Sequence, residues 1–119
     1  MGRILLAVGG VATILVAAFP QPEHGSSPEH TLAAGAAFIA LTCWPLAASR
    51  GSPFVLRPPT GAAATVVFAV LLAVFFVQLH GGNQIGLTER LLAGAQSLWP
   101  ATVTVYLRHT SPADANPTD

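Results

Sequence analysis

The residues best suited to chemistry stand together at the start of the last apolar stretch, Gly86-Leu87-Thr88-Glu89-Arg90. A charged pair at the mouth of a lipid-like segment is costly unless it faces other helices or water. Ala93, Gln96 and Pro100 follow Glu89 at intervals of four, three and four, the spacing of one helix face. Pro100 has no N–H for the carbonyl four residues earlier, so the backbone oxygen of Gln96 is released on that face. A carboxylate, an amide and a freed carbonyl directed into a bundle make a polar pocket for a small ligand, an ion or a proton, with Glu89 as its charged group. The competing reading places Glu89 and Arg90 at headgroup depth, where a carboxylate suits the helix N-terminus and long side chains reach back to water.

The remaining candidates are weaker chemistry. Glu23, His24, Glu29, His30, His80 and Glu89 gather at one end of the expected bundle, and imidazoles with carboxylates are what a zinc-like ion takes. Their spacing matches no compact ligand motif, so no metal site is expected, with His24, His30 and His80 as the residues to watch. Ser26 and Ser27 lie in a proline-rich connection without the strained strand-to-helix turn of a hydrolase nucleophile. Cys43 is the sole cysteine, which excludes an intrachain disulfide and a paired-cysteine motif, and it is expected as a small apolar core residue. No cofactor motif is present.

The elements that must position these groups follow from composition. Of 119 residues 52% are hydrophobic and 8% charged, against about a quarter charged in soluble domains, so the expected solvent is lipid. Net charge is zero, and the five arginines form no basic stripe, which excludes nucleic acid as a partner. Lysine is absent and Ala, Gly and Val dominate, a bias that points to a bacterial source. Position 6 is leucine and the C-terminus lacks cysteine, so neither myristoylation nor prenylation supplies an anchor.

Four apolar runs separated by proline- and glycine-rich connections give the expected fold class: an all-α polytopic membrane protein, a four-transmembrane-helix bundle in one domain, residues 1–110. The spans are expected at about 4–20, 31–48, 60–80 and 86–107, with 111–119 as a disordered cytoplasmic tail. The first run could instead be a signal peptide cleaved after Val16-Ala17-Ala18, although Arg3 alone is a minimal basic region. Gly9-Gly10 and the small residues Ala33, Gly35, Ala36, Ala37 and Ala40 are expected to allow close helix contact. From Ala62 to Val77 only Thr65 is polar, as in a wall facing lipid.

Arg3, Arg50, Arg57 and Arg108 fall on one side of such a bundle and Arg90 on the other. The positive-inside rule then puts both termini in the cytoplasm, and residues 22–30 and 80–84 outside. Leu32-Ala33-Ala34-Gly35-Ala36 and Leu91-Leu92-Ala93-Gly94-Ala95, each followed by Trp-Pro, form a faint echo that supports no repeat architecture.

Phe19-Pro20, His30 opening a span, Gly86-Leu87-Thr88-Glu89-Arg90, Ala95-Gln96 and Trp99-Pro100 together resemble the bacterial membrane family called domain of unknown function 998. The resemblance implies a bundle of about six spans, of which this chain matches the last four and lacks roughly two at its start. It implies no activity, and marks His30, Glu89 and Arg90 as characteristic positions. The expected function is an integral membrane component, more in keeping with a non-enzyme, in the bacterial cytoplasmic membrane. It would pack against partner helices or its own copies, or bind a small or lipid-like ligand at the outer face through Glu89, Arg90, Gln96, His30 or His80. The alternative is a membrane enzyme or proton-coupled carrier in which Glu89 exchanges a proton with help from His30 or His80, which requires a histidine within hydrogen-bond reach of it, directly or through a water.

Overall fold

The structure is a computed structural model that describes residues 1–51 and 54–110. The expected tail, 111–119, and Ser52-Pro53 of the second connection lie outside the described residues. The described chain is all-α: α1 (Gly2–Ala18), α2 (Pro28–Ala47), a single 3-10 turn (Phe54–Leu56), α3 (Pro58–Leu79) and α4 (Ile85–Thr110).

Two helices begin earlier than the apolar runs suggest, for one reason. Proline has no N–H to lose in a first turn, where donors are unpaired in any case, and its fixed φ suits the helix. Pro28 and the Pro58-Pro59 pair therefore open α2 and α3 instead of closing the loops before them. At α2 the Ser27 hydroxyl caps the turn by accepting the His30 N–H at 3.1 Å, and Glu29 adds a carboxylate at the positive helix end.

The helices run up and down in sequence, and α2 packs against all three others. Small residues set how closely they approach. A Cβ on Gly9 would stand 2.7 Å from a Leu41 methyl, and one on Gly61 would stand 2.6 Å from the Pro45 carbonyl oxygen. The α1 and α3 backbones thus press on the same stretch of α2, whose Ala33, Ala37, Ala40 and Trp44 are buried. Gly10, by contrast, faces open space, and α1 continues through the pair without a break. Pro45 sits inside α2, where the neighbouring Leu46 N–H finds an acceptor outside its own helix, the Thr65 hydroxyl of α3, at 3.2 Å. Phe38 of α2 and Phe75 of α3 meet edge to face with centroids 5.5 Å apart, a preferred aromatic geometry.

Cys43 is exposed, not in the core as its type suggests. It belongs to the stripe Leu32, Ala36, Ile39, Cys43, Leu46, spaced by four and three, on the outward face of α2. Apolar exposure continues on α1 and α3, where Ile14 is 69% and Val77 71% accessible. Among the described residues, α2 and α3 are long and apolar enough to cross a membrane, and α1 is a shorter apolar helix of 17 residues. Only 33% of the most apolar window of α2 and 17% of that of α3 is buried, unlike core helices of a water-soluble domain.

Candidate functional site

A cavity of about 130 Å³ lies where α1, α2 and α4 meet. From α1 come Thr13 and Val16, from α2 Ala34, Ala37, Phe38 and Leu41, and from α4 Glu89, Ala93, Gln96 and Ser97. Glu89 is the fifth residue of α4 and exposed, which puts it at the mouth. Gln96, two helical turns further along, lies about 10 Å deeper at about 1.5 Å per residue. It is 1% exposed.

The hydrogen bonds of Gln96 give the site its character. Its Nε2 donates to the Phe38 carbonyl at 3.1 Å and to the Thr42 hydroxyl at 2.8 Å, tying α4 to α2. A backbone carbonyl only accepts, so the nitrogen must be the atom facing Phe38, which fixes the amide orientation. Both amide protons are engaged. The Oε1 is buried and has no donor among the described residues. Such an atom is expensive to leave bare, and in natural proteins a bare buried acceptor calls for a partner to be identified.

The other polar groups repeat the pattern. Thr13 donates its hydroxyl proton to the Gly9 carbonyl at 2.8 Å, and Ser97 donates to the Ala93 carbonyl at 2.8 Å. Their protons are engaged with their own helices and their lone pairs are not. The polar lining residues Thr13, Glu89, Gln96 and Ser97 thus carry acceptors without donors, among lining residues that are otherwise apolar.

The expected site residues divide. Glu89, Ala93 and Gln96 share this cavity, while Pro100 does not line it. Arg90, His30 and His80 are outside the lining. His30 Nδ1 bonds the Phe19 carbonyl at 2.8 Å, closing the α1–α2 connection, and His80 Nδ1 bonds the Phe76 carbonyl at 2.8 Å at the end of α3. Each ring thus has one nitrogen occupied by backbone. Among the described residues no three of His, Cys, Asp and Glu converge, so His24, His30 and His80 form no common site.

Thr13 and Ser97 were not among the expected lining, and Thr42 was not expected as an amide partner. A signal existed for the first: Thr13 is the lone polar side chain between Ile4 and Phe19. A second hollow of about 380 Å³, between Ala7, Val8, Val11, Ala12 and Leu15 of α1 and Ala36 of α2, is an open apolar groove. With no polar side chain it has nothing to orient a ligand.

Residues 1–106 match the family model described as "Protein of unknown function (DUF998)". No curated protein and no solved structure matches the chain.

Proposed function

The chain belongs to the DUF998 family, whose description leaves its activity open, and from that premise we propose a four-span protein of the bacterial cytoplasmic membrane that binds a small ligand between α1, α2 and α4. It does so without covalent chemistry. The apolar exposure of α1, α2 and α3 supports a lipid surround, in which packing with other helices or further copies of the chain uses the same faces. Arg3, Arg50, Arg57 and Arg108 at one end, against Arg90 at the other, support cytoplasmic termini.

The observation that carries the binding reading is Gln96, a cavity-lining residue only 1% exposed, whose Oε1 has no donor among the described residues. A volume near 130 Å³ decides the scale of the occupant. It is well below the roughly 300–1,000 Å³ of a drug-sized site and near the roughly 150 Å³ of a cavity that holds benzene. The ligand is therefore a small molecule or one head of a larger one. The proton-carrier alternative needs an imidazole within hydrogen-bond reach of Glu89, directly or through a water; His30 and His80 each bond a backbone carbonyl, and neither lines the cavity.

Filling the cavity tests the reading. Ala93→Leu adds apolar volume at an exposed lining position. An occupied cavity responds by losing a small molecule that mass spectrometry finds in the purified wild-type protein. An idle void responds only by a rise in thermal stability, as cavity-filling changes commonly give. That second outcome, with nothing bound to the wild type, removes the proposal.

A further inference from the structure

We propose that the ligand of this cavity carries a primary ammonium group, an inference that rests on the binding reading above and names its chemical class. Both Nε2 protons of Gln96 are engaged with Phe38 and Thr42, and the hydroxyl protons of Thr13 and Ser97 are engaged with Gly9 and Ala93. The polar groups that remain on the lining residues are acceptors only: Gln96 Oε1, buried and without a donor among the described residues, the lone pairs of the two hydroxyls, and the Glu89 carboxylate. An occupant must bring the donors. It gains further by bringing positive charge, because Arg90 is outside the lining and leaves the carboxylate at the mouth without a cation there.

Three occupants supply what is missing, and the wall separates them. A calcium or magnesium ion fills its shell with about six or more oxygens, whereas the cavity offers four oxygen-bearing side chains among Val16, Ala34, Phe38 and Leu41, and no three of His, Cys, Asp and Glu converge among the described residues for a zinc-like ion. A quaternary ammonium has the charge but no N–H for Oε1. A primary ammonium has three N–H donors and one charge, and its carbon stem meets the hydrocarbon wall. The group comes either from a free small alkylamine or from the headgroup of an aminophospholipid.

The test uses the full chain purified in a detergent without amines. Its thermal midpoint is followed while n-butylammonium chloride is titrated, with tetramethylammonium chloride, sodium chloride and n-butanol as parallel series at matched ionic strength. The expected result is a saturable rise with butylammonium alone. Gln96→Leu is expected to weaken it roughly tenfold or more, the effect of losing a hydrogen bond to a charged group, and the exposed-site change Glu89→Gln, which removes a more distant charge at the mouth, to weaken it less. In nanodiscs, co-purification of phosphatidylethanolamine over phosphatidylcholine points to the lipid source, and its absence beside a butylammonium response points to a free amine. An equal response to tetramethylammonium overturns the donor argument, and a response to sodium alone makes the occupant a metal ion. A response to butanol alone overturns the ammonium class while the binding reading stands. No response in any series, with no lipid retained, leaves water as the occupant and overturns both.

Discussion

Replacing Gln96 with leucine sets two opposing quantities against each other. The change deletes the bonds from Nε2 to Phe38 and Thr42, which link α4 to α2. Interhelical hydrogen bonds in membrane proteins average about 0.6 kcal/mol each, so their loss costs about 1 kcal/mol. Neither former partner is stranded: the Phe38 carbonyl lies within α2, and the Thr42 hydroxyl can turn back to the carbonyl four residues earlier, which is that same one. The change also deletes Oε1, a buried acceptor without a donor, whose burial costs about 1–3 kcal/mol. Leucine keeps most of the volume. In protein stripped of small molecules the balance is therefore near zero or stabilising, by up to about 2 kcal/mol. Gln96→Ala removes the same polar atoms and opens a void at a fully buried position, for which large-to-small changes cost about 2–5 kcal/mol. Thermal unfolding of both variants in micelles measures the difference. If leucine lowers the midpoint as far as alanine does, the amide is a structural tie whose polar bonds dominate, and the case for a site organised around a bare acceptor fails.

Three further perturbations probe the frame around the site. Gly61→Ala drives a Cβ toward the Pro45 carbonyl at 2.6 Å, where backbone cannot yield easily, and is expected to cost about 1–3 kcal/mol in thermal unfolding; Gly10→Ala and Gly94→Ala, which meet open space, are expected to be neutral or stabilising. Thr65→Val takes the acceptor from the Leu46 N–H and is expected to lower stability by about 1 kcal/mol, with Thr65→Ser restoring it. For the membrane arrangement, Cys43 in intact membranes is expected to react with an apolar maleimide and not with a charged one. In a Cys43→Ala background Ser26→Cys and Gly51→Cys are then expected to label from opposite sides. Labelling of both from one side overturns the topology.

The helices were legible because hydrophobic runs and proline-glycine connections leave few alternatives, and the expected starts missed by two or three residues where prolines open a helix. The hub was harder to see. Attention to charge favours the last helix, yet α2 packs against all the others, since closeness is set by Gly9 and Gly61 on its neighbours and by its own alanines. Single glycines in an alanine-rich chain give no indication of which partner they face. Of the site, the Glu89–Ala93–Gln96 face followed from helical spacing, because those groups share one element. The α1 and α2 contributions depend on how helices rotate against each other, which no local pattern encodes. One signal does cross that gap. Thr13, Thr42 and Thr65 are isolated hydroxyls in apolar surroundings, and they respectively line the cavity, receive the Gln96 amide and accept the Leu46 N–H. Threonine can bond its own helix and so tolerates lipid, but its second lone pair remains available. In an apolar helix a lone hydroxyl is thus a residue through which a neighbour's polar group can be met, whereas the buried face itself is drawn by Ala12, Ala33, Ala37, Ala40 and Ala64, beside which Thr13 stays exposed.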